Sequence, residues 1–328
     1  MHYHDYLQLD TILNAQDSES AKRGKPAHDE SLFIVIHQTY ELWFKQLLTE
    51  VDSALVLLKN PSLNDNSPEL QTLVHRLDRC ATILQVLVKQ IDIMETMTPS
   101  DFLEFRDLLR PASGFQSWQF KALEAKLGLK YAHRHGQEYY ISQLRPQEVD
   151  LIRQAESAQS LIELLNGWLE RMPFLDQEAA DFWPAYTIAY KESLSADEQS
   201  AALAFDQTFG EENPERTLSP RACRAALFIM LHRGYPLLHL PFRLLNVLLE
   251  IDSQLSLWRY RHMNMVQRII GIRMGTGGST GRDYLRGAAE KHYIFREIAG
   301  LTSFLVASEK MPALSTEAQQ LLGFRFHK

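Results

Sequence analysis

The sequence predicts an all-α protein: a single elongated helical bundle, with room for a pocket between its long helices. Two observations carry that expectation. Apolar residues recur at three- and four-residue intervals over most of the chain, and the alternation of a strand is missing outside residues 128–145. No internal repeat or low-complexity linker divides the 328 residues, so the expectation is one domain, 1–328.

The bulk numbers bound the function. A net charge of -7 gives nucleic acid and anionic membranes nothing to hold, and 45% apolar against 23% charged residues describes an ordinary globular chain. The two cysteines, Cys80 and Cys223, form no metal-spaced pair and fit a reducing cytosol. MHYHDYLQLD at the start lacks a signal-peptide core, and no run approaches the ~18 apolar residues that span a bilayer. A cytoplasmic protein is expected.

Residues 1–27 read as an arm, apolar for a terminus through Tyr3, Tyr6, Leu7 and Leu9, and so in need of a cover from its own domain or a neighbour. A long helix starts near His28, with Asp29 and Glu30 at its positive end, and stops before Asn60-Pro61; Phe33 and His37 share one face. Ser67-Pro68 caps the next helix, to about Met97. A short helix FLEFRDLL follows, with Ser100 or Asp101 as its cap; Phe102, Phe105, Arg106 and Leu109 line one side. Beyond a turn at 111–114 comes a helix to about Lys126. Residues 128–145 read as loop or small hairpin, and Pro146 opens one helix through about Arg171. Helical pieces fill 175–216, and Pro184 kinks or ends one of them. Ser219-Pro220 starts a helix ending at Gly234; a principal helix runs from about Leu240 to Ile270; another runs from Arg282 to about Val306.

The chemistry gathers at 257–281, LWRYRHMNMVQRIIGIRMGTGGSTG. Leu255, Trp258, His262, Met265, Val266 and Ile269 form one helical face, with His262 at its middle. Such a histidine reads either as a hydrogen-bonded core residue or as a ligand. Arg106 likewise reads either as an arginine reaching the surface or as a guanidinium aimed into a pocket to grip a carboxylate. The glycine loop fits neither G-x-x-x-x-G-K-[ST] nor G-x-G-x-x-G, and a helix precedes it where a strand is required, so phosphate binding is disfavoured. No H-E-x-x-H or close histidine pair suggests zinc. Isolated histidines on separate long helices suit a haem, with His262 as proximal ligand and His37 as a polar group opposite.

Several ordered segments together resemble the tryptophan 2,3-dioxygenase family: YHDYL at 3–7, FIVIHQ at 33–38 followed by Glu41-Leu42-Trp43, Phe105-Arg106 with PASGFQS at 111–117, Trp258-Arg259 with Arg261-His262, and GTGGSTG at 275–281. The resemblance implies a haem b enzyme, one haem per subunit and ferrous when active. It would insert both atoms of O2 across the indole C2–C3 bond of L-tryptophan to give N-formylkynurenine. It implies His262 as the axial iron ligand, with Ser113 and Gly114 beside the cofactor. It implies His37 as the distal histidine meeting the indole N–H, in a substrate-binding run Phe33, Ile34, Val35, Ile36 and His37. Phe102 would pack the substrate ring, Arg106 would hold its carboxylate, and Thr276 would contact its amino-acid head group. Tyr3, Tyr6 and Leu7 would complete a neighbouring subunit's pocket in a homotetramer, a dimer of dimers. Phe102 stands where some bacterial members carry tyrosine, His4 replaces a common glycine, and Trp118 and Lys121 replace leucine and arginine; none of these touches the implied iron ligand or Arg106. A related haem enzyme acting on another indole or aromatic amino acid, and a haem or tryptophan sensor without turnover, are the alternative readings.

Overall fold

The computed structural model describes residues 1–63, 67–135, 137, 141–175, 179–271 and 282–323, and among them there is no strand. In chain order the helices are α1 (Tyr3–Leu7), α2 (Leu9–Leu13), α3 (Glu19–Lys22), α4 (His28–Lys59), α5 (Pro68–Met94), α6 (Pro99–Leu103), α7 (Trp118–Leu127), α8 (Pro146–Ser157), α9 (Leu161–Glu170), α10 (Ala179–Ser193), α11 (Gln199–Gly210), α12 (Pro220–Leu231), α13 (His239–Ile270), α14 (Arg282–Lys291), α15 (Arg296–Gly300) and α16 (Thr316–Leu322). No described helix is long and apolar enough to cross a membrane.

The framework is the trio α4, α5 and α13, in which α5 packs against both of the others. Leu70, Leu73, Leu77, Leu87 and Ile91 make the fully buried stripe of α5, and Leu244, Leu248 and Leu255 that of α13. Each such side chain contributes roughly 1.5–3 kcal/mol by leaving water. α12 is buried on nearly all sides from Ala222 to Met230 and packs on α9 in the same large core. A second, smaller apolar cluster gathers Ile36, Ile91, Met94, Met97, Phe102, Phe105 and Met265 around one end of the trio.

The long helices lie where the periodicity puts them, but three expectations need correction, and one alternative is narrowed. The short helix is capped two residues earlier than expected. Thr98 and Asp101 form a reciprocal capping box, the helix ends at Leu103, and Arg106–Leu109 is a separate 3-10 turn. The expected helix 146–171 is two helices. The Ser160 N–H and hydroxyl both donate to Glu163, at 2.7 and 2.8 Å, which starts α9 afresh. The expected helix from Arg282 to Val306 breaks after Lys291, because Asp252 on α13 takes the N–H groups of Ile294 and Phe295 at 3.1 and 3.0 Å. Within 128–145 the described residues form no hairpin but a 3-10 turn at Tyr131–His133.

The arm is held at one end only. Glu30, buried near the start of α4, accepts from the N–H groups of Glu19 and Ser20 at 2.8 and 2.9 Å. Gln38 is hydrogen-bonded to Gln16 and to the Ala15 carbonyl. Before that anchor, α1 and α2 bury nothing, and Tyr3 and Tyr6 are each 70% exposed.

Candidate active site

α4, α13 and the α6 turn converge on one cavity enclosing about 1790 Å³ of atom-free space, its open mouth included. Its lining is mostly apolar and aromatic, with a few polar groups aimed inward, the composition of an ordinary small-molecule pocket.

On α4, Phe33 and His37 are one turn apart and face the cavity. The His37 Nδ1 lies 2.7 Å from the Phe33 carbonyl oxygen. A carbonyl only accepts, so Nδ1 carries the proton. Burial pushes the His37 pKa down, against the pull of that carbonyl and of Glu41. The ring is therefore neutral at pH 7, and its Nε2 is an acceptor.

On α13, the His262 ring stacks on that of Trp258, with centroids 5.0 Å apart and planes within 3° of parallel. Burial, with repulsion from His37, lowers its pKa to about 4. Its Nδ1 is buried without a hydrogen-bond partner among the described residues. A neutral imidazole held flat in a dry slot is a ready metal ligand. The described residues contain no group of three or more His, Cys, Asp or Glu side chains able to cage a metal ion directly.

Arg106 follows α6 in its 3-10 turn and lines the same cavity at 5% exposure. Three rings pack together between α4 and the α6 turn: Phe33 lies 5.7 Å from Phe102 and 5.6 Å from Phe105, and the latter two meet edge to face at 5.4 Å. Ser113 and Gly114 border another part of the wall, and a Cβ added at Gly114 would meet no atom within 4 Å. Gly114 therefore faces open space.

Phe33, His37, Phe102, Arg106, Ser113, Gly114 and His262 thus share one cavity. Ile34, Val35 and Ile36 do not line it. At about 100° per residue, only Phe33 and His37 of that run share the inward face. Ile36 is buried in the smaller apolar cluster, and Val35 is 44% exposed. Tyr3, Tyr6 and Leu7 take no part in this chain's own cavity. Thr276 and the rest of GTGGSTG lie outside the described residues.

Sequence reasoning missed a charged cluster in the wall of the same cavity, formed around Lys121, Glu124 and Arg259. Glu124 is buried between Arg134 and Arg259, 2.6 Å from each, and Arg259 donates to the His292 carbonyl at 2.8 Å. Lys121 donates to the Phe115 carbonyl; burial, then the charge of Arg134, lowers its pKa to about 8. The available signal was two opposite charges, Lys121 and Glu124, within the apolar run KALEA.

The site defines a class: an all-helical protein whose interhelical cavity pairs a ligand-competent imidazole with a second, acceptor imidazole and a buried guanidinium. Comparison with known proteins narrows it. The family model described as tryptophan 2,3-dioxygenase matches residues 1–214 and 205–305. Proteins named tryptophan 2,3-dioxygenase align along nearly the whole chain. That of Bdellovibrio bacteriovorus is 40% identical over 99% of each chain, that of Alteromonas mediterranea 41% over 98% of this chain and 97% of its own, and that of Rattus norvegicus 37% over 95% and 84%. The chain belongs to the tryptophan 2,3-dioxygenase family.

Proposed function

We propose that this chain is a haem-dependent dioxygenase that inserts both atoms of O2 across the indole C2–C3 bond of L-tryptophan. The product is N-formylkynurenine, the first step of tryptophan breakdown through kynurenine. The observation that carries the reading is the convergence of His262, His37 and Arg106, from three separate elements, on one large cavity in a member of this family.

The residues fit a haem, in this proposal haem b with one per subunit. His262 would hold the haem iron: its imidazole is neutral well below pH 7, and it has a buried ring nitrogen without a partner among the described residues. Gly114 leaves clear the space that a side chain would fill, and Ser113 stands beside it. Bound there, the haem supplies the iron at which dioxygen is activated.

The chain's own groups bind and orient the substrate. Arg106 takes the carboxylate, for which its planar fork is suited, and Thr276 contacts the head group. Phe33 and Phe102 pack the indole ring and exclude water. His37 accepts the indole N–H at Nε2, the nitrogen left unprotonated when Nδ1 donates to the Phe33 carbonyl. That bond sets the orientation of the C2–C3 edge. His37 needs no proton of its own to do this, so its lowered pKa suits an orienting group better than a general acid.

The exposed half of the arm, with Tyr3, Tyr6 and Leu7, packs against a neighbouring subunit's cavity in a homotetramer, and the enzyme works in the cytoplasm. Exposed tyrosines on helices that bury nothing at home support the first statement. The two buried, unpaired thiols, Cys80 and Cys223, agree with the second.

The deciding experiment is anaerobic reduction of haem-loaded protein, addition of L-tryptophan and then oxygen, with the product weighed by mass spectrometry. A gain of two oxygen atoms is expected. A gain of one would make it a hydroxylase, and binding without turnover would make it a sensor; either result overturns the proposal.

A further inference from the structure

We propose that His135 and Gly287 form a seat that fixes α14 against the cavity, making His135 a positioning residue for the reaction proposed above, on which this inference rests. α14 contributes Tyr284, Leu285 and Ala288 to the cavity wall, and His292 just beyond its end does the same. It begins at Arg282, directly after the glycine segment that carries Thr276. Whatever sets the place of α14 therefore sets one wall of the site.

Gly287 is buried inside this helix, where alanine is ordinarily the better helix former. The reason for glycine is His135. A Cβ at Gly287 would lie 2.3 Å from both Cδ2 and Nε2 of the His135 ring. The imidazole occupies the space that any other residue's side chain would need. The same residue makes two further contacts, one to α14 and one to His292 just beyond its end. Its ring lies 6.1 Å from that of Tyr284, and its backbone N–H donates to Nε2 of His292 at 3.0 Å. Tyr284 in turn meets Phe115 edge to face at 5.1 Å, on the segment holding Ser113 and Gly114.

These contacts span positions 284–292, more than two turns. They continue into α13, because the His292 carbonyl accepts from Arg259, three residues before His262. A translation of α14 along its axis would break the ring contacts and the hydrogen bond together. His135 touches neither the proposed iron ligand nor Arg106; it acts through the wall.

The test uses haem-loaded Gly287→Ala, His135→Ala and the double variant. It reads steady-state kinetics, the L-tryptophan-induced change in haem absorption of the reduced protein without oxygen, and thermal unfolding. Gly287→Ala should lower the melting temperature and raise KM, and the tryptophan Kd read from absorption, about tenfold or more, with kcat changing less. His135→Ala should raise both constants likewise. The double variant should melt above Gly287→Ala, since the collision is gone, yet keep the raised KM; if Gly287→Ala does not fold, this variant carries the test.

A Gly287→Ala protein that melts higher with an unchanged KM would overturn the seat, since only helix propensity would then be acting. A wild-type KM in His135→Ala, or in the double variant, would also overturn it. Should the wild type fail to oxidise tryptophan, the functional reading falls, while the melting order and the absorption-derived Kd still decide the seat.

Discussion

Glu124→Gln removes one charge and almost no volume from the most buried ionic cluster among the described residues, and its effect can be worked out two ways. Glu124 is 3% exposed, with one oxygen 2.6 Å from Arg134 and the other 2.6 Å from Arg259. Burial alone would raise its pKa; the two guanidinium groups outweigh that and hold it at about 2, against an ordinary 4.5. That gap corresponds to roughly 3 kcal/mol favouring the folded state at neutral pH. Removing one partner from a buried ion pair typically costs about 3–5 kcal/mol, because the remaining charges are stranded. The two routes agree, so a loss of about 3–4 kcal/mol is expected.

The sign follows from the depressed pKa. The contribution is complete above pH ~4.5 and is lost as pH falls toward 2. Urea unfolding of both proteins at pH 7 measures the loss, and repeating it down to pH 3 measures the slope. The wild type should lose stability faster than Glu124→Gln on the acid side, so the two curves converge. A difference under 1 kcal/mol at pH 7, or parallel acid limbs, would refute the reasoning.

His262→Ala should abolish stable haem binding; a normal haem absorption spectrum in that variant would sink the ligand assignment. Arg106→Ala should lose roughly 2–5 kcal/mol in kcat/KM for L-tryptophan through removal of one partner of a buried charge pair, and an unchanged kcat/KM would remove it from the site. Because the His37 pKa is lowered, its acceptor form persists below pH 6.5. The acid limb of kcat/KM should accordingly fall below 6.5 and disappear in His37→Gln; a limb above 6.5 counts against the orienting role. Deletion of residues 1–8 should impair turnover and loosen the oligomer in sedimentation, whereas full activity would leave the arm a packing element only.

The long helices were legible because their signals are local. A stripe every three or four residues, Ser67-Pro68 at one start and Ser219-Pro220 at another, needs no knowledge of the fold. The breaks at 158–160 and 292–295 were not legible for different reasons. The first depends on Glu163 turning back to Ser160, a short-range signal hidden inside an apolar run. The second is imposed by Asp252, more than forty residues upstream. The site divides the same way. Phe33, His37, Arg106 and His262 stand out as polar or aromatic residues on otherwise apolar faces, and all reach the cavity. The neighbours Ile34, Val35 and Ile36 came with the motif rather than with the face, and helical geometry turns them elsewhere. Glu124 showed in the sequence only as a charge within an apolar run, because its meaning lies in Arg259, 135 residues further on.

α13 is one unbroken helix that serves two cores. Its first half, through Leu248 and Leu255, is set in the large core; its second half carries His262 into the cavity. Fourteen residues separate Leu248 from His262, about 21 Å at 1.5 Å per residue. The helix is therefore a lever with its pivot in the core. A tilt of about 5° at Leu248 would move His262 by about 2 Å over that arm, twice the ~1 Å misplacement that can cost on the order of a hundredfold in rate. Substitutions that merely repack the bundle around the pivot will be felt as changes in chemistry by a site they never touch. The tolerance of this core to sequence change is thus set by the angle it must hold as well as by the volume it must fill.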